Sequence, residues 1–203
     1  MIRFFDVVFS GLALIVLSPL LIPIVLFLKF SGEGEIFFLQ ERVGQDREMF
    51  KLFKFATMLK DSPSMGAGTV TMKNDPRVLP AGKFLRKTKI NELPQLLNVF
   101  LGHMSLIGPR PLLMEYLPLY TKEQARRHEV KPGITGWAQI NGRNTITWEE
   151  KFRLDIWYVD NQSFWLDIKI ILLTFFKVVK QEGISQNSHV TMQRFKGNEF
   201  EQR

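Results

Sequence analysis

The 203-residue chain has no cysteine. Disulfides, thiolate metal sites and a cysteine nucleophile are therefore excluded. Its three histidines, His103, His128 and His189, are scattered without ligand spacing, which argues against a structural zinc site. There are no internal repeats and no low-complexity tracts, so the economical organisation is one domain plus one further element. Acid is missing from the window Arg77, Lys83, Arg86, Lys87, Lys89, where none occurs until Glu92. A solvated helix face and a phosphate-binding surface both explain such a cluster. The net charge of +7 and the pI near 9.7 fit an anionic partner: nucleic acid, an anionic membrane face or a phosphorylated substrate.

From Val7 to Leu28 the chain is apolar except for Ser10, Gly11 and Ser18-Pro19, with a second proline at Pro23. As a helix this run reaches about 33 Å, close to the ~30 Å hydrocarbon core of a bilayer. Pro19 offers a kinked span or a re-entrant hairpin bent at Ser18-Pro19. Arg3 precedes the run, and Lys29, Arg42, Arg47, Lys51 and Lys54 follow it, which keeps the bulk of the chain cytoplasmic. A span would export only a stub carrying Arg3 and Asp6, so the hairpin is the expectation. A cleaved signal peptide is the alternative. It is disfavoured by the length of the run and by the lack of a small-x-small site before Lys29-Phe30-Ser31-Gly32-Glu33.

Beyond the run, Glu35 to Met58 reads as two Phe-rich strands around a turn at Val43-Gly44-Gln45-Asp46. Ser62 to Asn74 is loop-like. Leu85 to Leu101 has helical apolar spacing, with a helix opening near Ile90-Asn91 and Pro94 in its first turn. Thr121 with Gln124 and Thr147 with Glu150 are capping-box patterns. The second opens a helix to about Asp160 that places Trp148, Phe152, Asp155 and Val159 on one face. An acid on an apolar stripe calls for a partner, unless it lies at the exposed edge. Ser163 to about Gln181 is a helix, apolar on most of its circumference, that suits the core or a membrane interface with snorkelling lysines; the basic balance favours the interface. The fold class expected is α+β: an N-terminal re-entrant membrane helix hairpin (1–34), a compact cytoplasmic domain with a small β-hairpin and interfacial amphipathic helices (35–182), and a polar, mobile tail (183–203).

Four blocks look unlike generic core. Lys51 to Met58 places lysines at a strand end. Leu85 to Gln95 puts Glu92 at a helix start among cations, where it could cap the helix or hold Mg²⁺. Met104 to Pro111 is a rigid turn presenting Arg110, a planar fork suited to phosphate. Lys131 to Asn144 contains Gly133, Gly136 and Gly142, which allow close backbone approach to a ligand, followed by Arg143.

In their order, Asn91-Glu92-Leu93-Pro94-Gln95-Leu96, Met104 to Pro111 and Pro132 to Asn144 resemble the bacterial sugar transferase family of small monotopic phosphoglycosyl transferases. The resemblance runs from Ser18-Pro19 to Phe195-Lys196-Gly197-Asn198. It implies transfer of a sugar phosphate from a UDP-sugar to polyprenol phosphate, with release of UMP, at the cytoplasmic face of the bacterial inner membrane. It implies a ping-pong route in which an Asp-Glu dyad supplies a carboxylate nucleophile and Mg²⁺ stabilises the diphosphate. Carried over, Asn91 and Glu92 are the catalytic pair, with Glu92 the metal ligand. Lys54, Arg86, Arg110 with Pro111, and Arg143 hold phosphates or the nucleotide, oriented by Asp155 or Asp167. Expected partners are the UDP-sugar, polyprenol phosphate and the phospholipid membrane. A homodimer is compatible with the sequence, which does not set the oligomeric state.

Three positions depart from the family pattern. Asn91 stands where the nucleophilic Asp belongs, Ala56 where a second basic residue is common, and His103 where Asp usually precedes Met-Ser. An amide cannot readily form an acyl phosphate, so low activity is expected from this chain. The alternative is a non-catalytic member that binds nucleotide sugar or lipid phosphate. A membrane-tethered nucleic-acid binder is suggested by charge alone and has no recognition module, so no nucleic acid is expected.

Overall fold

A computed structural model of the chain describes residues 2–31, 33–65, 71, 75–142, 145–180 and 194–197. The Phe-rich segments form an antiparallel hairpin, β1 (Phe37–Val43) and β2 (Met49–Phe55), in the register Phe37↔Phe55 to Val43↔Met49. Its turn places Asp46 and Arg47 in the left-handed region. Phe38, Gln40 and Arg42 share a hairpin face with Phe50, Leu52 and Lys54. Because Phe50 and Leu52 are buried against Val99 and Met104, that face points inward and takes Arg42 and Lys54 with it.

The apolar N-terminal run is one continuous helix, α1 (Ile2–Phe30). The two-helix hairpin expected at Ser18-Pro19 is not formed as separate elements. Pro19 has no N–H for the Ile15 carbonyl, but the Ser18 hydroxyl donates to that carbonyl at 2.7 Å and replaces the missing bond. Both ends of α1 are tied to the same folded body. Arg3 donates to the Val99 and Phe100 carbonyls, and buried Asp6 accepts from the Ser105 hydroxyl (3.0 Å) and the Leu106 N–H (2.9 Å). At the other end Leu28 is buried with Phe55 and Leu85. Between these anchors the outer face is bare, with Ile15 72% and Val16 66% exposed. α1 alone among the described residues is long and apolar enough to cross a membrane.

Of the cationic residues 77–89, Lys83, Arg86 and Lys87 lie on one short helix and Arg77 before it, whereas Asn91 and Glu92 lie on the turn that follows. α2 (Pro80–Lys87) ends where Lys89 turns left-handed at φ 64°. Ile90–Glu92 form a 3₁₀ turn, and α3 (Gln95–Leu101) starts only after Pro94. The separate helix over 80–87 and the late start of α3 correct the expected opening at Ile90-Asn91. Asn98, fully buried on α3, accepts from the Phe53 N–H at 2.9 Å and donates to the Lys51 carbonyl at 2.8 Å. It thus fixes α3 against the outer edge of β2.

β3 (Ser105–Ile107) pairs in parallel with β4 (Gly133–Thr135). Here the glycines serve a different purpose from the ligand approach expected of Gly133 and Gly136. A Cβ on Gly133 would lie 2.1 Å from the Gly108 nitrogen, and one on Gly136 would lie 2.2 Å from the Gly108 carbonyl oxygen. The close approach is backbone to backbone, and it fixes the turn that carries Arg110.

The remaining helices are α4 (Lys122–Ala125), α5 (Trp137–Ile140), α6 (Trp148–Asn161) and α7 (Phe164–Lys180). Thr121 and Gln124 complete the expected capping box, and the Thr147 hydroxyl accepts the Glu150 N–H. On α7, Trp165 is 78% and Phe175 67% exposed. Its N-terminal Phe164 meets Phe5 of α1 with ring centroids 5.3 Å apart, so the two apolar surfaces adjoin. Within the expected polar tail, Phe195 is buried among Tyr116, Trp148 and Phe152.

Candidate active site

Glu92 is the centre of the site. Its position on the 3₁₀ turn before α3 places the carboxylate 2.9 Å from Arg110 Nη2, across from the turn after β3. Burial alone would raise the Glu92 carboxyl. The Arg110 charge, then Lys54 and the Arg110 hydrogen bond, outweigh this and hold it well below the usual carboxylate range. It is ionised at any physiological pH.

Five cations feel this carboxylate, Arg42, Lys54, Arg86, Lys89 and Arg110, and Arg86 also feels Asp75. The Lys54 ammonium has no hydrogen bond or ion pair among the described residues, and burial, then the charge of Arg42, pushes it down to about 7. Arg86 reaches across from α2 to the Thr71 hydroxyl at 2.7 Å and the Thr57 hydroxyl at 3.3 Å. Its backbone approach depends on Gly82, where a Cβ would lie 2.1 Å from the Thr57 carbonyl oxygen. Excess buried positive charge is costly unless paired. A multiply charged anion would offset that excess.

Asn91 sits beside Glu92 with its Oδ1 buried and unpartnered. Mg²⁺ takes oxygen ligands and is commonly held by one or two protein groups plus the phosphates it bridges. Glu92 and the Asn91 amide oxygen fit that role. No group of three acidic or histidine ligands exists among the described residues.

The expected orienting acids act at a remove. Asp155 and Arg127 form an ion pair of 2.7 Å, each side chain about 1% exposed. Arg127 also donates to the Arg110 carbonyl at 2.8 Å, so Asp155 supports the backbone of Arg110 and does not touch its guanidinium. Asp167 accepts from the Tyr158 hydroxyl at 2.8 Å beneath β3; burial pushes it up to about 6, with Asp6 adding to the rise. Pro111 is buried, and its carbonyl accepts from Arg42 at 3.3 Å. Ser18 and Pro19 lie in α1, away from these contacts. Arg143 lies outside the described residues.

Sequence reasoning missed Arg42, Asn98, Arg127 and Asp6. Arg127 was signalled by Asp155, whose place on an apolar stripe demanded a cation. Asn98 was signalled by an amide amid Leu96, Leu97 and Val99. Asp6 had looked like a charge exported for no gain, yet it is the bond between α1 and β3.

A sequence model described as bacterial sugar transferase matches residues 1–181. The uncharacterized sugar transferase EpsL of Bacillus subtilis is 51% identical over 196 residues, covering 97% of this chain and 96% of EpsL. The exopolysaccharide production protein ExoY of Rhizobium meliloti is 36% identical over 195 residues, covering 89% of this chain and 86% of ExoY. The UDP-glucose:undecaprenyl-phosphate glucose-1-phosphate transferase of Escherichia coli is 42% identical over 180 residues, which span 85% of this chain but 39% of that longer protein. The match over residues 1–181, with half of all positions identical to EpsL over nearly the full length of both chains, places the chain in the bacterial sugar transferase family of phosphoglycosyl transferase enzymes.

Proposed function

We propose that the chain's fold transfers a sugar phosphate from a UDP-sugar to polyprenol phosphate at the cytoplasmic face of the inner membrane. The observation that carries this is the cluster of Arg42, Lys54, Arg86 and Arg110 around Glu92, a charge excess suited to a diphosphate. The E. coli relative's name supplies the donor and acceptor classes. With Asp at position 91, one carboxylate oxygen attacks the sugar-bearing phosphorus, the bond to the bridging oxygen breaks, and UMP leaves with that electron pair. An oxygen of polyprenol phosphate then attacks the same phosphorus and releases the carboxylate. Arg110 and Lys54 stabilise the charge that develops on the phosphoryl oxygens. Glu92 would hold Mg²⁺, which would supply neutralisation of the diphosphate charge when bound. Asn91 supplies no carboxylate, so the first step is nearly lost in this chain.

The anchoring of α1 supports a one-leaflet membrane placement as part of this proposal. Because both its ends are tied to one body, its bare face and that of α7 enter the same leaflet, and residue 2 stays on the cytoplasmic side. That is the re-entrant topology without a break in helical bonding.

The test is turnover of radiolabelled UDP-glucose, and of a wider UDP-sugar panel, with Mg²⁺ and undecaprenyl phosphate, for this chain and Asn91→Asp. Product from Asn91→Asp supports the proposal; none from either chain across the panel removes it. The buried, unpartnered Asn91 oxygen also suits a binding-only member. Calorimetric UDP-sugar binding with no product even from Asn91→Asp favours that second reading.

A further inference from the structure

We propose that Arg42 is a phosphate-binding residue of this site, with Gln40 as the positioning residue that aligns its guanidinium. The inference rests on the functional reading above and adds a ligand on β1 to a site otherwise built from β2, α2 and the turns flanking β3.

The guanidinium is held on two sides by neutral acceptors. Nη2 donates to Gln40 Oε1 at 2.6 Å and Nη1 to the Pro111 carbonyl at 3.3 Å. Among the described residues its buried Nε–H has no hydrogen-bond partner, and no carboxylate is paired with Arg42. The carboxylate that Arg42 feels, Glu92, is hydrogen-bonded to Arg110. A guanidinium has five donors in a fixed fork, so two filled positions leave an edge free for an oxyanion.

Register explains why this edge faces the site. Arg42 lies opposite Phe50, and Lys54 lies four residues further along β2 on the same inward face. That separation is about 13 Å along the strand, and two long side chains reaching inward from its ends can converge on one ligand. The electrostatics agree with convergence. Burial and the neighbouring charge of Arg110 push Arg42 down to about 10, and Arg42 is the chief like charge acting on Lys54. Like charges gathered without a counterion destabilise the empty site. An anion with oxygens on more than one side, such as a diphosphate, relieves Arg42 and Lys54 together.

A latch holding Pro111 in place would use the same contacts, and the two roles move stability in opposite directions. If Arg42 were a latch, Arg42→Met would lower the melting temperature of the anion-free protein. If it binds phosphate, the variant removes an uncompensated charge, so the anion-free protein melts no lower and the ligand's effect shrinks.

The experiment titrates inorganic pyrophosphate into the full chain in detergent micelles, by calorimetry and by melting-temperature shift. Arg42→Met is expected to weaken binding at least 10-fold, the low end for loss of a hydrogen bond to a charged group. Arg42→Lys, which keeps charge but loses the fork, is expected to recover only part of this. Gln40→Ala is expected to weaken binding by about 3-fold through misalignment, with no loss of charge. The exposed Lys122→Met controls for general electrostatics and should change binding less than 2-fold. Undiminished pyrophosphate affinity in Arg42→Met, or a lowered melting temperature with unchanged affinity, overturns the assignment. These outcomes do not depend on UDP-sugar turnover. A failure of Asn91→Asp to turn over any UDP-sugar would remove the functional proposal while leaving Arg42-dependent anion binding measurable.

Discussion

Removing the Asp155 carboxylate tests whether Arg110, the proposed phosphate ligand, is supported from behind. Asp155 and Arg127 are each about 1% exposed and 2.7 Å apart, and Arg127 carries the Arg110 carbonyl on the same Nη2. In Asp155→Ala the guanidinium stays where it is, because it is packed over the Phe152 ring at 5.8 Å. A buried charge stripped of its partner costs about 3–5 kcal/mol. At about 2–4 °C per kcal/mol for a chain of this size, thermal melting in detergent should fall by about 6–20 °C. The double variant Arg127→Met/Asp155→Leu removes both charges and should recover most of that loss. Recovery of stability should not bring back full pyrophosphate affinity, because the Arg110 carbonyl still lacks its donor. A single-variant loss below about 1 kcal/mol, or a double variant as unstable as the single, would refute the argument.

Gly133→Ala should cost about 3 kcal/mol or prevent folding, since its Cβ meets fixed backbone at 2.1 Å; Gly11→Ala, facing only the Phe100 ring at 3.3 Å, should be close to neutral by the same melting assay. Asp167, at about 6 when folded against 3.8, contributes stability that is present below pH 4 and lost as pH rises through 6. Asp167→Asn keeps an acceptor for Tyr158 and should therefore be more stable near neutral pH, by at most about 3 kcal/mol, with the gain vanishing in acid. Lys54 has the opposite sign: at about 7 folded against 10.5, the unfolded chain holds the extra proton between those values. Stability should rise from pH 7 to 10 in the intact chain and rise less in Lys54→Met, as pH-dependent denaturation would register. With no native cysteine, Ile2→Cys offers one thiol, which should react with an impermeant reagent only from the cytoplasmic side; periplasmic labelling would refute the one-leaflet placement of α1.

Local signals carried much of this fold. The β1–β2 hairpin, the Thr121 and Thr147 caps and the extent of α6 are each written within a few consecutive residues, as alternation or capping side chains. What escaped was long-range. Nothing near Gly133 or Gly136 says that the backbone they admit is Gly108 rather than a ligand, and nothing near Arg42 says that it is buried within reach of the charges of Glu92 and Arg110. At Ser18-Pro19 the proline was legible but its compensation was not: the serine of that same pair bonds to Ile15 and keeps α1 continuous. The cluster around Glu92 was partly legible, because Lys54, Arg86 and Arg110 lie in short motifs. The supporting pair Arg127–Asp155 spans 28 positions, and only the demand of a buried acid hinted at it.

The role of residue 91 admits a direct measurement. UDP-sugar labelled in the sugar is incubated with the Asn91→Asp chain and Mg²⁺ without polyprenol phosphate, and label retained on acid-precipitated or gel-separated protein is counted. Expected is stoichiometric label on Asn91→Asp that is discharged into lipid when polyprenol phosphate is added, with none on the Asn91 chain. Turnover by Asn91→Asp with no protein-bound label, or equal turnover by the Asn91 chain, would contradict a carboxylate nucleophile at this position.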